Sequence, residues 1–249
     1  MSVVEERQGR VLVIHIEREA KRNAIDRATA EGIDAALNQL EDDPALWAGI
    51  LTGTDHVFSA GTDLSEGVSL RTGRGGEYGV IRRERRTPLI AAVEGLALGG
   101  GFEIALACDA IIASRTARFG LPETRRGLVA TSGALFRATR ALPTNIAREL
   151  LISGRYLEPE RAYQLGLVNE VTESGCALEK ALALAEDICL SSPHAVGETL
   201  RALRAMTAAG DDRGWHATDQ AVEALLASDD MHEGISAFFD KRTPEWRGC

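Results

Sequence analysis

The sequence of 249 residues lacks the features that mark several classes of protein. It contains no run of about 18 uncharged apolar residues, so it predicts no transmembrane helix. Its first ten residues, MSVVEERQGR, carry acids and no apolar stretch, so we expect no signal peptide. Aromatic residues make up only 5%, but 45% of the residues are hydrophobic and 26% are charged, as in globular proteins. This composition excludes disorder, collagen and coiled coil for the chain as a whole.

Cysteines are few, and basic residues are outnumbered by acidic ones. The four cysteines form no C-x-x-C pair, which favours reduced thiols in a cytoplasmic protein over a disulfide framework or zinc site. They are Cys108, Cys176, Cys189 and Cys249. Lys and Arg number 28 against 37 Asp and Glu, a net charge of −9. We therefore expect no nucleic-acid or membrane partner, and an anionic ligand would need local arginines or backbone N–H groups.

The hydrophobic pattern divides the chain into an α/β part and a helical part. Apolar runs predict strands at 11–16, 49–53, 89–93 and 110–113, and an amphipathic pattern predicts a helix over 26–40. Strands alternating with helices favour an α/β fold. After about Val171 only helical patterns occur, over 177–190, 195–209, 218–227 and 233–239. We expect a core over 1–190 and a helical region over 191–249.

Small residues follow the predicted strand 49–53 in the segment FSAGTDL at 58–64. They would let a ligand approach the backbone N–H groups. Alone, the segment favours a turn in which Asp63 caps the next helix over a ligand site.

Three glycines precede an apolar helical stretch in LALGGGFEIALACD at 96–109. The start of a helix offers unpaired N–H groups and a positive dipole end, and Glu103 would share that face in the first turn. The alternative is that the glycines allow tight helix packing and Glu103 only complements the dipole.

The segment FGLPE at 119–123 presents a carboxylate beside an apolar run. Pro122 holds Leu121 extended, and a rigidly presented Glu123 suits acid–base chemistry. A surface glutamate that caps a helix or pairs with Arg125 or Arg126 is the alternative. Taken together, the three segments supply two N–H-presenting loops and two glutamates, the layout that an enolate formed from a thioester requires.

These three segments resemble, in order and spacing, the signatures of the crotonase (enoyl-CoA hydratase/isomerase) superfamily. The similarity continues through GRYLEPERAYQLGLVNEV to GISAFFDKRTPEW. The resemblance implies an α/β fold, a spiral of ββα units with a C-terminal helical trimerisation region, assembled as a homotrimer or dimer of trimers. It also implies an acyl-CoA thioester substrate, a role in fatty acid metabolism, and no metal or redox cofactor, because coenzyme A is part of the substrate.

Site residues follow from the same resemblance. The backbone N–H groups of Ala60 and Gly100 would form the oxyanion hole. Glu123 would exchange the Cα proton, and Glu103 would orient the attacking water. Phe238 and Lys241 match a phenylalanine and a lysine that reach the adenine of CoA in a neighbouring subunit. The remaining substrate-binding positions are Arg22, Ala24, Gly61, Thr62, Asp63, Leu64, Gly99, Pro122 and Thr131.

The resemblance implies hydration of the 2,3 double bond of a 2-enoyl-CoA. A Δ3,Δ2-enoyl-CoA isomerase, another crotonase dehydratase and a catalytically silent acyl-CoA-binding protein remain open alternatives. One departure concerns 127–134, GLVATSGA, which lacks a proline of the superfamily and has Thr131 and Ala134 where glycines are frequent. This departure leaves the acyl group open. The pattern E-x-R-R-G-L-V-A resembles a bacterial subgroup, some of whose members are related to carnitinyl-CoA dehydratase.

A glycine- and arginine-rich segment, RTGRGGEYGVIRRERR, occupies 71–86. Its composition predicts a mobile loop. We interpret the run Arg82–Arg86 as a solvated helix face, and contact with the phosphates of CoA is the alternative.

Overall fold

The computed structural model describes residues 2–66 and 70–248, and most of its strands belong to two sheets. The strands are β1 (Val3–Gln8), β2 (Val11–Ile16), β3 (Ala48–Thr52), β4 (Val57–Ser59), β5 (Arg71–Thr72), β6 (Gly76–Glu77), β7 (Leu89–Val93), β8 (Leu96–Leu98), β9 (Ala110–Ser114), β10 (Arg118–Gly120), β11 (Tyr156–Leu157) and β12 (Glu170–Thr172). The helices are α1 (Arg27–Asp42), α2 (Gly100–Ala107), α3 (Ala134–Ala141), α4 (Thr144–Ser153), α5 (Pro159–Gln164), α6 (Ala177–Cys189), α7 (Pro193–Leu226) and α8 (Asp229–Phe239). Short 3₁₀ turns occupy Glu19–Lys21, Leu64–Glu66 and Glu123–Arg126.

The two sheets are built from strands that alternate between them. The larger sheet has the order β1-β2-β3-β7-β9-β12, and the smaller has the order β11-β10-β8-β4. From β2 to β12 the larger sheet is parallel, and β1 pairs antiparallel with β2. Each of β3, β7 and β9 is followed by a short strand in the smaller sheet, so the chain winds in repeated turns. This spiral confirms the expected α/β fold.

The central strands are buried on both faces, which explains their continuous apolar runs. In β3 and β7 every residue is buried. One face, including Ile50 and Ile90, packs with Ala181 of α6, and the other, including Leu51 and Ala91, belongs to the main core. The small alanine side chains of α6 let the helix lie close to the sheet.

The helices agree with the predicted pattern except in the C-terminal region. The Asp26 carboxylate accepts a hydrogen bond from the Thr29 N–H (2.8 Å), so it caps α1 where the sequence predicts a helix start. Two helices predicted over 195–209 and 218–227 are one continuous helix, α7. Helix α7 continues through the glycine at 214. A Cβ at this position would lie 2.4 Å from the Phe136 ring, so the glycine allows α7 to pack on α3.

The interpretation of residues 71–86 is wrong in two respects. The segment contains the hairpin β5–β6, and two arginines of the run 82–86 are buried rather than solvated. Arg83 and Arg85 are each only 7% exposed, and they pair with Asp34 (2.5 Å) and Asp109 (2.6 Å). These acids lie far away in the sequence, on α1 and after α2, so a local pattern does not reveal the ion pairs.

Among residues 2–66 and 70–248, no helix combines the length and apolarity needed to cross a membrane. Cys108, Cys176 and Cys189 are free thiols, and Cys249 lies outside the described residues. The described part of the chain also holds no group of three or more His, Cys, Asp or Glu side chains suited to bind a metal ion.

Candidate active site

A cavity of about 80 Å³ lies where the three signature segments meet. It brings both glutamates together with most of the substrate-binding positions expected from the sequence. Its lining residues are Ala60, Gly61, Thr62, Leu64, Tyr78, Gly99, Gly100, Glu103, Pro122, Glu123, Arg126, Leu128, Val129 and Thr131.

A second cavity, of about 210 Å³, adjoins the first. Ala60, Thr62, Leu64 and Arg126 line both, so the two form a continuous groove. The remaining walls of the second cavity are Lys21, Arg22, Ala24, Asp63, Ser65, Phe238 and Phe239. Basic side chains therefore stand at its outer end, where an anionic part of a ligand would be stabilised.

The C-terminal helix α8 contributes Phe238 to the groove of its own chain. The Arg126 guanidinium lies 4.5 Å from the centre of the Phe238 ring, and Gly234 packs against the Arg126 carbonyl. This placement differs from the expectation that Phe238 reaches the site of a neighbouring subunit. Lys241 lines neither cavity, so the structure does not bring it to the groove.

The expected oxyanion donor Ala60 is unavailable. Its N–H donates to the Arg22 carbonyl at 3.0 Å, so the assignment of this amide to an oxyanion hole is wrong. The Gly61 N–H donates to the Ser59 hydroxyl (3.2 Å), and the Asp63 N–H donates to the Ile25 carbonyl (2.8 Å). Within residues 60–63, all of which are described, the Thr62 N–H alone has no acceptor.

Successive N–H groups of an extended chain point in opposite directions, which explains why the free amide is that of Thr62. Ile25 pairs with Thr62 in a parallel bridge, in which the flanking Gly61 carbonyl and Asp63 N–H make the hydrogen bonds. The Thr62 N–H therefore points away from Ile25 and towards the cavity. Sequence reasoning chose the wrong residue of this segment because pairing register decides which amides remain free.

Gly100 supplies a second free amide because it is the first residue of α2. The first hydrogen bond of that helix runs from the Glu103 N–H to the Gly99 carbonyl (3.0 Å), so the Gly100 N–H has no partner within the helix. A Cβ on Gly61 would lie 2.8 Å from the Gly100 nitrogen, which shows how closely the two segments approach. Gly61 also has a φ of 92°, a conformation that favours glycine.

Glu103 is 2% exposed and is held from behind by the start of α3. Its Oε1 accepts hydrogen bonds from the backbone N–H groups of Ser132 (2.7 Å) and Ala134 (3.1 Å). Burial raises the pKa of Glu103 to about 7, and these two N–H groups and the Arg137 charge oppose the rise. The carboxyl group thus has a pKa near neutrality while its charged form remains solvated by the protein.

Glu123 lies on the opposite wall with far fewer polar contacts. Its Oε2 is buried and has no hydrogen-bond partner within the described residues. Burial, followed by the charge of Glu103, raises the pKa of Glu123 to about 8, and Arg126 opposes the rise. The pairing with Arg125 considered as an alternative is wrong, because Arg125 instead donates to the Ser153 carbonyl (2.7 Å).

Asp63 is occupied by the protein itself. Its carboxylate pairs with Arg18 (2.8 Å) and accepts hydrogen bonds from the Ser65 N–H (3.2 Å) and hydroxyl (2.6 Å). Ser65 and Arg18 lower the pKa of Asp63 to about 2, although burial opposes them. The turn-capping interpretation of Asp63 is confirmed, and the residue lines the outer cavity without offering a free carboxylate.

Three residues at the site were missed by sequence reasoning: Tyr78, Arg126 and Ser132 lie against the two glutamates. Tyr78 falls in the glycine- and arginine-rich segment and carried no signal. Arg126 was considered only as a surface partner. Ser132 contributes mainly its backbone N–H, which any residue type offers.

The arrangement can polarise a carbonyl and move protons beside it. Two free amides, of Thr62 and Gly100, face a cavity bounded by two buried carboxyl groups of different surroundings. Amide donors stabilise an oxygen that becomes negative, and carboxyl groups with a pKa near neutrality exchange protons efficiently. The fold and site therefore define a ββα-spiral protein whose cavity combines amide donors with two carboxyl groups.

Comparisons with known proteins agree. The sequence model of the family described as enoyl-CoA hydratase/isomerase matches residues 6–249. The mevalonyl-coenzyme A hydratase of Aspergillus fumigatus is 37% identical over 95% of this chain and 91% of its own length. The 2,3-dehydroadipyl-CoA hydratase of Escherichia coli is 36% identical over 97% of both. A solved carnitinyl-CoA dehydratase from Mycobacterium avium is 40% identical, with a TM-score of 0.92 over 100% of this chain and 99% of its own.

The chain belongs to the enoyl-CoA hydratase/isomerase family. The relatives named above are hydratases and a dehydratase that carry CoA thioesters in their names.

Proposed function

We propose that the protein is an enoyl-CoA hydratase, which adds water across the 2,3 double bond of a 2-enoyl-CoA. The observation that carries this proposal is the presence of two buried carboxyl groups, Glu103 and Glu123, on one cavity with two free amides. Hydration needs one group to take a proton from water and another to give a proton to carbon, so both carboxyl groups have a task.

The thioester oxygen would accept hydrogen bonds from the Thr62 and Gly100 N–H groups. When the water oxygen bonds to C3, the π electrons move through C2 to this oxygen and form an enolate. Glu103, the better hydrogen-bonded carboxylate, takes the proton from the water. Glu123 gives its proton to C2 as the carbonyl re-forms, which yields a 3-hydroxyacyl-CoA. Loss of one oxyanion donor typically costs roughly 3 kcal/mol of barrier.

The outer cavity would hold the CoA portion of the substrate. Lys21, Arg22 and Arg126 provide the local cations that an acidic protein needs for an anionic ligand. The reaction uses only groups of the protein, water and the thioester itself. In line with the sequence, we also propose a trimeric assembly in the cytoplasm.

The second candidate is the reverse reaction on a 3-hydroxyacyl-CoA, a dehydratase activity. The relative from Mycobacterium avium is named a carnitinyl-CoA dehydratase, and the E-x-R-R-G-L-V-A segment resembles a bacterial subgroup, some of whose members are related to carnitinyl-CoA dehydratase. The same four groups serve both directions, since a catalyst accelerates a reaction and its reverse alike.

Turnover of a short 2-enoyl-CoA, followed by loss of the conjugated absorbance, tests the proposal. We expect turnover that is lost in Glu103→Gln and in Glu123→Gln. Conversion of a 3-enoyl-CoA without hydration would instead indicate an isomerase. Tight binding of acyl-CoA by calorimetry, with no turnover on a panel of enoyl and 3-hydroxyacyl thioesters, would indicate a silent binding protein.

A further inference from the structure

Tyr78 contacts both residues whose amides are free. Its hydroxyl is hydrogen-bonded to the Thr62 hydroxyl at 2.7 Å, and either group can donate. Its ring lies against Gly100, where a Cβ would approach the Tyr78 hydroxyl to 2.5 Å and the ring carbons to 2.7 and 3.0 Å. Thr62 and Gly100 belong to different elements, so Tyr78 connects the two halves of the oxyanion hole.

The backbone holds Tyr78 in an unusual conformation. Its φ is 56°, in the left-handed region that few residues other than glycine adopt. The Tyr78 N–H donates to the Leu70 carbonyl (3.0 Å), and the next residue, Gly79, packs so tightly on α1 that a Cβ would lie 2.6 Å from the Ala30 carbonyl. Such a conformation persists where surrounding contacts enforce it, and it occurs often at functional sites.

The Tyr78 hydroxyl is buried and retains its proton. The side chain is 4% exposed. Burial, then the charge of Glu103, raises the pKa of Tyr78 well above its usual value. The neutral hydroxyl contacts the two segments that carry the free amides, through the Thr62 hydroxyl and the Gly100 backbone.

We infer that Tyr78 is a positioning residue that fixes the spacing of the Thr62 and Gly100 amides around the thioester oxygen. The inference rests on the proposed function only in requiring that the ligand be an acyl-CoA. Tyr78 touches the two donor segments and acts through them, since the oxygen binds to the amides.

The test measures the oxyanion hole directly and without turnover. Saturated butanoyl-CoA carrying a ¹³C thioester carbonyl is bound to the intact protein, and the carbonyl stretch is recorded by infrared difference spectroscopy. Two hydrogen bonds lower this frequency in the wild type. We expect Tyr78→Phe, which keeps the ring and removes only the oxygen, to show a smaller shift.

Kinetics on the enoyl-CoA substrate provide the second readout. We expect kcat of Tyr78→Phe to fall about tenfold, less than the loss of a whole donor, while KM changes less than twofold. Thr62→Val removes the partner hydroxyl and keeps the amide, so it should reproduce both effects, and the double variant should be no worse than either. Tyr163→Phe, whose ring is 54% exposed, is the matched control and should match the wild type.

Each outcome decides the inference. An unchanged carbonyl frequency in a folded Tyr78→Phe overturns it, even if kcat falls. If the effects of Tyr78→Phe and Thr62→Val on the carbonyl frequency and kcat are strictly additive, the inference is also overturned. Additivity would show that the two hydroxyl groups act independently. Absence of acyl-CoA binding to the wild type would overturn both the proposed function and the inference. A wild-type shift that Tyr78→Phe reduces, without any hydration, would support the inference and contradict only the hydratase activity.

Discussion

Each of the two facing walls of the cavity carries a glutamate, but the two side chains differ in their hydrogen-bond donors. On the α2 wall, the Glu103 carboxylate accepts two backbone N–H groups at the start of α3. On the facing wall, Glu123 lies on a 3₁₀ turn and leaves a buried oxygen without a partner. Desolvation raises both pKa values, but the Glu103 carboxylate accepts from two backbone N–H groups of another element, whereas Glu123 accepts only from its own backbone N–H. Identical residues thus acquire different surroundings, and the hydrogen bonds favour the charged form of Glu103.

The local backbone explains the asymmetry. Gly133 precedes α3 with a φ of 101°, which turns the unpaired N–H groups of the helix start towards Glu103. Arg137, one turn into α3, lies behind Gly133 and adds positive charge. The turn that carries Glu123 begins at Pro122, which has no N–H to offer.

Replacement of either carboxyl group by an amide should have the largest effect on activity. We expect Glu103→Gln and Glu123→Gln each to lower kcat by roughly 10³-fold, since each removes a proton-transfer group. The two variants should differ in exchange of the Cα protons of a saturated acyl-CoA with deuterated water. Glu103→Gln should retain this exchange, and Glu123→Gln should lose it.

Proton NMR of the recovered acyl-CoA measures the exchange. Glu173→Gln, at an exposed position directly after β12, serves as control for the substitution itself. Equal loss of exchange in both variants would contradict the division of roles between the two walls.

A methyl group at Gly61 should impair the tasks of Glu103 and Glu123 equally, because it displaces the thioester carbonyl of the substrate from the Thr62 and Gly100 amides. The added Cβ would clash with the Gly100 nitrogen and the Leu98 carbonyl, both at 2.8 Å. We expect Gly61→Ala to lower kcat/KM roughly 10²-fold, the cost of a lost oxyanion donor. Gly73→Ala is the matched control, since a Cβ at Gly73 meets nothing within 4 Å. Full activity of Gly61→Ala would show that the close approach is unnecessary.

Stability should respond to pH through Glu123. Its pKa is raised to about 8 in the folded state from about 4.5 unfolded, so the folded state binds the extra proton and stability falls as pH rises across this window. Glu123→Gln removes this penalty. We expect both its free energy of unfolding and its Tm to exceed those of the wild type at pH 9.

At pH 5 the advantage of Glu123→Gln should nearly vanish, because the wild-type carboxyl group is then protonated in the folded state. Thermal unfolding across the pH range measures this difference. A constant gap between the two proteins would show that Glu123 does not titrate as its surroundings imply.

The two arginines near the carboxyl groups should shift the pH–rate profile by the smallest amounts. We expect a bell-shaped kcat/KM, which falls at low pH as Glu103 is protonated and at high pH as Glu123 ionises. Arg137→Met should move the acid limb upward by about half a pH unit, and Arg126→Met should move the alkaline limb upward by a similar amount. Movement of the same limb by both variants would contradict the separate electrostatic surroundings.

Part of the site was predictable because its signals are local in the sequence. Glycines at 99–101 before an apolar helix, and Pro122 before Glu123, predicted a helix start and a carboxyl group that the structure brings to one cavity. The free amide of Thr62 was not predictable, because it depends on pairing with Ile25 across the fold. The ion pairs of Arg83 and Arg85 were missed for the same reason.

Local sequence patterns predicted the α/β class, the central strands, and the three segments that line the cavity, whereas the spiral was implied by the resemblance to a known superfamily. These depend on periodicity and on glycine and proline stereochemistry, which act over a few residues. Three properties depend on tertiary contacts. They are the backbone amides that remain free, the carboxyl group whose charged form is stabilised, and the contact of Tyr78 with both donor segments. Such properties depend on register and burial, which arise only when residues distant in the chain come together.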